Sequence, residues 1–261
     1  MRWHIIQGIL LKYYYITKNR LDRLFDVFYW PTIDVLVWGL TTYYISSLSE
    51  NFIIGFFLGG AVLWSIFNRA NTDMGVFILE DFWSRNLPNF YSTPARISEV
   101  IVALCLNGLF RAIASFAFLS VLTFILYAFN IFSIKIIYVL VFFIFLLVFG
   151  WIVGLFVAGL IFRFGMRIQV LAWGLGWLMQ PVSCVFYPLN SLPVWLQKVA
   201  VWFPTTHIFE GMREILMTGT FSLISLFNAI VLTVLFAFLS VLFFYSSFNK
   251  AKKTGLLTRL E

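Results

Sequence analysis

The sequence contains few charged residues for its length. Of its 261 residues only 11% are Asp, Glu, Lys or Arg, whereas 62% are hydrophobic, and the mean hydropathy is +0.94. A water-soluble domain needs about 25% charged residues to cover its surface. The scarcity of charge therefore argues against a soluble enzyme, a disordered tail and a nucleic-acid-binding domain. It predicts that most of the protein surface faces lipid.

Sequence patterns for several kinds of chemistry are also missing. No glycine is followed by lysine, so the phosphate-binding GxxxxGK[ST] loop of many ATPases is absent. No Gly-x-Ser occurs, which argues against the usual nucleophile elbow of a serine hydrolase. The cysteines, Cys105 and Cys184, lie in apolar runs and suggest neither a metal cluster nor a disulfide framework. We therefore expect no catalytic residue, no bound metal and no cofactor on this chain.

Long apolar runs dominate the sequence instead. A helix needs about 20 mostly apolar residues to cross roughly 30 Å of hydrocarbon. Six runs are close to that length or longer: residues 27–48, 51–68, 99–128, 136–162, 168–187 and 222–248. The sequence thus predicts an all-α membrane protein with six transmembrane helices, forming one transmembrane domain over residues 1–261.

The basic residues indicate an orientation, because Lys and Arg concentrate in cytoplasmic loops. Fourteen of the 18 Lys and Arg residues lie in residues 1–26, the 69–98 connection, the 163–167 turn and the C-terminal tail, and three lie in the alternate connections. We expect a multi-pass protein of a bacterial or archaeal cell membrane with both termini in the cytoplasm.

Residues 1–26 show the spacing of an amphipathic helix. Side chains at steps of three and four share one helical face, and the five basic residues lie off it. That face consists of Trp3, Ile6, Leu10, Tyr13, Thr17, Leu21, Leu24 and Phe28. We expect a helix in the membrane interface with its cations toward anionic headgroups. The alternative is a plain basic flank that fixes the topology.

The 69–98 connection contains a second amphipathic pattern. Asp73 can cap a short helix that Pro88 and Pro94 end. The apolar face of this helix would be Met74, Phe77, Ile78 and Phe82, and its polar residues would be Glu80, Asp81 and Arg85. An exposed helix of this kind suits the binding of a soluble partner. Resting on the bilayer surface is the alternative.

Residues 188–221 are apolar but interrupted by Pro188, Pro193 and Pro204. We expect short re-entrant or interfacial helices on the outer side of the membrane, forming a gate or a simple surface cap. His207, Glu210 and Glu214 share one helical face there and leave open a metal or proton-transfer patch. The alternative is an interfacial helix in which Glu210 supports Arg213.

Two ionisable residues lie inside predicted spans, where an unpaired charge is costly. Asp34 is about 12 Å along its helix from Asp26, and Arg111 is about 18 Å from Glu99, which places both at similar depths. We expect a structural ion pair between Asp34 and Arg111, with contact between Arg111 and an acidic substrate headgroup as the alternative.

Two GxxxG patterns, Gly55 with Gly59 and Gly150 with Gly154, predict close helix packing. A seam between two copies of the chain is the alternative for either pattern.

This layout resembles the permease subunit of type-2 ATP-binding-cassette exporters. The most specific stretch is YPLNSLPVWLQKVAVWFPTTHIFEGMRE, residues 187–214, with its Leu-Pro-x-Trp-Leu turn, second proline and closing arginine. Residues 20–39 and 82–100 support the resemblance. It implies a permease that pairs with a second copy and with separate nucleotide-binding ATPase subunits, which use ATP and Mg²⁺.

The resemblance also implies roles for individual residues. Contact with the ATPase would fall to a coupling helix with Asp73, Phe77, Glu80, Asp81 and Arg85. The first and fifth spans would line the substrate pathway with Trp30, Asp34, Trp38, Tyr43, Trp173 and Trp177, joined by Arg111. The outer gate would comprise Pro188, Pro193, Trp195, Pro204, His207, Glu210 and Arg213.

We therefore expect a transport subunit rather than an enzyme, which moves an amphipathic substrate outward. A lipid-linked glycan, a glycolipid or a hydrophobic drug would suit the aromatic pathway. Its partners would be the ATPase subunit, a second permease and membrane lipid, with no nucleic acid. An ion-coupled secondary transporter and a membrane-embedded transferase acting on lipid are the alternatives.

Overall fold

The computed structural model describes residues 1–48, 55–84 and 93–254, and within these ranges the chain is helical without a β-strand. The α-helices in this part of the chain are α1 (Trp3–Asn19), α2 (Leu21–Leu48), α3 (Gly55–Trp83), α4 (Ile97–Tyr127), α5 (Ile136–Phe164), α6 (Leu171–Met179), α7 (Val194–Ala200), α8 (Pro204–Thr218) and α9 (Leu223–Thr254). Short 3-10 turns occupy Ile131–Ser133, Gly165–Ile168 and Leu189–Ser191. The all-α prediction is confirmed.

Three of the helices are long and apolar enough to cross a membrane: α4, α5 and α9. They coincide with the predicted spans at residues 99–128, 136–162 and 222–248. Large apolar side chains such as Phe227, Val234 and Phe238 project outward from α9 rather than into the protein. Because water would not tolerate so much exposed apolar surface, this is a membrane-embedded protein.

Helix α3 forms the centre of the bundle. From Leu58 to Phe82 its side chains are buried, apart from the half-buried Asn68. It packs along α5 and also contacts α2, α4 and α6. At the point of closest approach, a methyl group on Gly150 would lie 2.7 Å from the Phe67 carbonyl oxygen, and one on Gly154 would lie 2.9 Å from that of Asn71. These two glycines therefore serve helix packing inside the chain.

The other glycine pair also faces the chain itself. A methyl group on Gly55 would lie 3.2 Å from Leu216, and one on Gly59 would lie 3.3 Å from Met212. Both neighbours belong to α8. The packing interpretation of the two GxxxG patterns is confirmed, and neither pattern is a free surface for a second copy.

The end of the bundle that carries most of the basic residues is called the basic end here. It contains α1, the C-terminal ends of α3, α5 and α9, and the N-terminal end of α4. Contacts within it join Lys12 to Asp81, Arg2 to Glu99, Phe82 to Phe162, and Phe162 to Phe248.

The prediction of a separate short helix that begins at Asp73 is wrong. Helix α3 passes through Asp73 without interruption and ends at Trp83. The polar residues of this stretch are buried because basic residues from distant parts of the chain neutralise them. The last residues of the predicted coupling helix, including Arg85, and Pro88, which would end it, lie outside the described residues.

The predicted amphipathic N-terminal helix exists but is shorter than residues 1–26. It ends at Asn19, because Arg20 is extended with φ −119° and ψ 103°, and Leu21 begins α2. Ile6 and Tyr13 are buried as the pattern predicted, but Trp3 is 58% exposed. The helix packs on α4 and α2 and, through Tyr13, on Phe77 of α3. Part of its apolar face is therefore buried against protein, and part is exposed.

The predicted fifth span, residues 168–187, is not one long helix. Only Leu171–Met179 is α-helical, a length of about 14 Å against the roughly 30 Å of a bilayer core. Pro181 follows this helix and lacks the donor needed to continue it. Cys184 then takes a left-handed conformation, with φ 54°. The next segment does contain the predicted short helices, α7 and α8.

Candidate functional site

A cavity of about 330 Å³ opens between α2, α3 and α6. Each helix supplies side chains that recur at helical spacing and therefore share a face. Helix α2 contributes Asp26, Trp30, Pro31 and Asp34, α3 contributes Ser65, Asn68, Arg69 and Thr72, and α6 contributes Trp173 and Trp177.

Close packing of α6 on α3 forms the inner wall of the cavity. A methyl group on Gly176 would meet Oδ1 of Asn68, so a larger residue at this position would displace the Asn68 amide. The ring of Trp173 also stacks on Trp83 at the end of α3, with centroids 6.0 Å apart and planes inclined by 14°.

Four charged side chains form a buried ion network beside the cavity. Nη2 of Arg69 lies 2.9 Å from Oδ2 of Asp26 and 2.9 Å from Oδ1 of Asp73. Arg111 approaches the same two carboxylates, at 3.3 Å from Asp73 and 3.7 Å from Asp26. Two guanidinium groups and two carboxylates balance in charge, which is what allows them to be buried. Arg69 belongs both to this network and to the cavity wall.

Further ion pairs attach the N-terminal segment to the bundle. Glu80 of α3 accepts contacts from Arg23 at 2.8 Å and Arg20 at 3.3 Å. Asp81 pairs with Lys12 and accepts a hydrogen bond from the Tyr13 hydroxyl at 3.2 Å.

The first turn of α4 is held in the same way. Glu99 lies 3.0 Å from Nη2 of Arg2 and also accepts the backbone N–H of Arg96. Carboxylates of α3 and α4 are thus matched by basic residues from the first 23 residues of the chain.

The predicted ion pair between Asp34 and Arg111 is not formed. Arg111 pairs with Asp26 and Asp73 instead, and its Nη2 donates to the Arg23 carbonyl oxygen at 3.3 Å. Asp34 faces the cavity, and no hydrogen bond or ion pair reaches its carboxylate from the described residues. The depth of Asp34 along its helix was predictable, but its direction around the helix axis was not. Eight residues of helix turn Asp34 about 80° away from Asp26, which is the residue of α2 that Arg111 contacts.

The structure brings together four of the seven predicted pathway residues: Trp30, Asp34, Trp173 and Trp177. The other three, Trp38, Tyr43 and Arg111, do not line this cavity, and Arg111 belongs to the ion network described above. Trp38 stacks on Phe186 with ring centroids 3.6 Å apart. Tyr43 is 74% exposed on the outer face of α2.

The predicted coupling residues Asp73, Phe77, Glu80 and Asp81 are buried, which contradicts the expectation of an exposed face. Phe77 packs on the Tyr13 ring at 4.6 Å and lies under the Arg111 guanidinium at 5.4 Å. Their role in contacting an ATPase stays a prediction. Arg85, the fifth residue of this set, lies outside the described residues.

The predicted outer-gate residues are assembled at the opposite end of the bundle. Oε1 of Glu210 accepts from Arg213 at 2.8 Å and from the Leu189 backbone N–H at 2.7 Å. Arg213 also donates to the Cys184 carbonyl oxygen at 2.6 Å. The expected support of Arg213 by Glu210 is confirmed, and together they attach α8 to the chain that follows α6.

The three prolines of the predicted outer gate lie at the starts of helices. Pro188 precedes the 3-10 turn, Pro193 precedes α7, and Pro204 is the first residue of α8, a position where a missing N–H costs nothing. Trp195 is exposed on α7. A ring nitrogen of His207 lies 3.0 Å from the Val201 carbonyl oxygen.

The alternative of a metal or proton-transfer patch gains no support. Glu210 is occupied as above, and Oε2 of Glu214 accepts the Ser222 backbone N–H at 3.1 Å. Within the described ranges, no three potential ligand side chains converge on one point.

Sequence reasoning missed the role of Arg69 and Asp73, which looked like loop residues. The signal that was available is their i, i+4 spacing inside an apolar periodicity that continues from the second span to Phe82. Asn68 and Thr72 follow the same spacing and reach the cavity.

Comparison of the chain with protein-family models finds no match, and comparison with curated proteins finds none either. The resemblance to type-2 exporters thus rests on the residues of this chain alone.

Proposed function

We propose that this chain is the permease subunit of an ATP-driven type-2 exporter, which moves an amphipathic molecule outward across a cell membrane. The observation that carries the proposal is the cavity between α2, α3 and α6. Its residues Trp30, Asp34, Trp173 and Trp177 come from the two segments that would line the pathway in such exporters. In this proposal the polypeptide crosses the membrane six times, with the fifth crossing made by α6 together with the non-helical chain that follows it, and both termini are cytoplasmic.

Helix α3 offers a direct mechanical route from a cytoplasmic ATPase to the cavity. It runs as one helix from Trp83 at the basic end to Asn68 in the cavity wall, a distance of about 22 Å. Trp83 is 41% exposed and therefore open to a partner. A subunit that moves this end would shift Asn68 and Arg69 with it. ATP binding then biases two arrangements of the cavity through its different affinity for each.

The open side of the cavity suits a second copy of the permease. Trp30 is 55% exposed and Trp177 is 41% exposed, and Val37 and Tyr44 continue the exposed apolar face of Trp30 along α2. A partner permease packed on α2 would cover this face and close the pathway between the two protomers. ATP and Mg²⁺ would be held by the separate ATPase subunits.

Affinity purification of the full chain from its native membrane tests the association. We expect an ATPase subunit to be retained, and the rate of ATP hydrolysis by the isolated ATPase subunit to change when the permease is added in lipid. A preparation that carries no ATPase under mild detergent, and that no candidate ATPase joins on mixing, would contradict the proposal. Glu80→Lys is unsuitable for this test, because it first breaks the contacts of Glu80 with Arg20 and Arg23.

A second candidate, ion-coupled secondary transport, is favoured by one observation. Three carboxylates, Asp26, Asp34 and Asp73, lie in or next to the cavity, and such residues mark ion and proton pathways in membranes. The purified chain alone, placed in liposomes with a proton or sodium gradient, separates the two candidates. Substrate accumulation driven by the gradient would favour this second one.

A further inference from the structure

We infer that the cavity between α2, α3 and α6 binds an amphipathic organic cation, through the indole rings of Trp30, Trp173 and Trp177 and the carboxylate of Asp34. That the bound cation is also the exported molecule rests on the proposed function. The binding itself requires neither ATP nor a second subunit.

The first support is the aromatic lining. Three tryptophan side chains border one cavity of about 330 Å³, with Trp173 fixed by its stack on Trp83. The indole face carries negative electrostatic potential and is the best aromatic partner for a cation within about 6 Å of the ring. The volume is at the lower end of the range of about 300 to 1,000 Å³ for small-molecule sites. It therefore fits the charged part of a lipophilic cation, while the rest of the apolar surface of the cation lies at the open side of the cavity.

The second support is the balance of charge around the cavity. Arg69 is the one cation among the lining residues, and both Asp26 and Asp73 already neutralise it at 2.9 Å. Arg111 is shared between the same two carboxylates. Asp34 thus adds one negative charge that no described side chain balances. Intramembrane carboxylates of this kind commonly serve as counter-ions to a ligand.

This inference narrows the expected substrates. Phosphate-linked glycans carry negative charge on their linker, which Asp34 would repel. A neutral glycolipid headgroup would gain nothing from the carboxylate. A hydrophobic amine or quaternary ammonium uses the rings, the carboxylate and the open apolar side of the cavity together.

Equilibrium dialysis of the purified full-length chain tests the inference, with tetraphenylphosphonium as the cation and tetraphenylborate as an anion of the same shape. Protein-free micelles are the blank. We expect saturable binding of the cation, and Asp34→Asn should weaken it by about tenfold or more, the usual effect of losing a charged partner. Trp177→Leu should weaken it as well. Glu214→Gln makes the same carboxyl-to-amide change at the opposite end of the bundle and should leave cation binding unaltered.

The outcomes separate this inference from the proposed function. Equal binding of the cation by wild type and Asp34→Asn, or tighter binding of the borate anion by wild type, would overturn the inference while leaving an ATPase association intact. Conversely, loss of cation binding in Asp34→Asn supports the inference even when no ATPase is recovered. Elution volume and melting temperature show that the variants are folded, which is expected because no hydrogen bond or ion pair reaches Asp34 from the part of the chain that the structure describes.

Discussion

Arg69 is the residue that connects the interior of this protein to its cavity. Its guanidinium bonds Asp26 of α2 and Asp73 of its own helix, while one side of the residue lines the cavity. An isolated charge in this environment would be costly, and the pairing removes most of that cost. The position of α2 against α3, and with it the position of Trp30, depends on this contact.

We predict that Arg69→Met destabilises the protein by about 3 kcal/mol or more, because Arg111 is then left to balance Asp26 and Asp73 alone. Asp73→Asn should also destabilise it, since two guanidinium groups then share Asp26. The double variant leaves Arg111 and Asp26 balanced and should cost clearly less than the sum of the two single changes. Thermal unfolding in detergent measures all three. Strict additivity would show that the four groups do not act as a network.

At the residue scale, the sequence predicted which residues line the cavity more reliably than it predicted which pairs of residues are in contact. Asp34 and the tryptophans Trp30, Trp173 and Trp177 were all expected on one pathway, and they do line one cavity. The pairing of Asp34 with Arg111 was wrong, because distance along a helix gives depth but not direction around the axis. Direction follows from packing, which requires knowledge of the neighbouring helices.

Helix α1 is attached to the bundle by its buried apolar face and by salt bridges. Its attachment can therefore be tested without unfolding the rest of the protein. Lys12→Glu places a second negative charge beside the buried Asp81 and should release α1 from α3. We expect backbone amides of α1 to exchange with deuterium about tenfold faster or more, a local change of about 1.4 kcal/mol.

Lys18→Glu provides the matched control, because Lys18 is exposed on the same helix. It should leave exchange in α1 unchanged. Equal acceleration by both changes would mean that the helix is held by its general charge rather than by the pair of Lys12 and Asp81.

The contact between α3 and α5 depends on glycine at Gly154. We predict that Gly154→Ala destabilises the protein by about 1–3 kcal/mol, because the new methyl group would lie 2.6 Å from Cβ of Met74. Gly8→Ala is the control: nothing lies within 4 Å of the added methyl group in α1, so the change should be neutral or slightly stabilising. Unfolding by denaturant in detergent compares the two. Similar stabilities would rule out close packing at Gly154.

At the scale of elements, apolar length alone was sufficient for α4, α5 and α9. It failed for α3, because Arg69, Asp73, Glu80 and Asp81 look like the residues of a polar loop. Their partners lie as far as 69 residues away in sequence, as Lys12 and Asp81 do, and no local pattern reveals them. It failed for α6 because a proline does not always end a membrane helix: Pro31 lies inside α2, whereas α6 ends just before Pro181.

For the whole molecule, the arrangement of charge gives the clearest account of how the protein would work. The ion pairs join α1, α2, α3 and α4 at the basic end, and the cavity begins directly beside them. At the opposite end, Glu210 and Arg213 form a salt bridge, and Thr205 and Arg213 bond the chain that follows α6. In our proposal, force applied at the basic end moves the connected helices together, while the opposite end, which has fewer ion pairs among the described residues, opens.

Transport by reconstituted protein tests the central proposal most directly. Liposomes would contain the permease in inside-out orientation, either alone or with its ATPase subunit. Accumulation of tetraphenylphosphonium in the lumen would be measured with ATP, without ATP, and with an imposed ion gradient. Because tetraphenylphosphonium crosses bilayers unaided in response to a membrane potential, protein-free liposomes under the same gradient are the blank. We predict accumulation above this blank when permease, ATPase and ATP are all present, and none by the permease alone. Accumulation above the blank by the permease alone under an ion gradient would contradict the account.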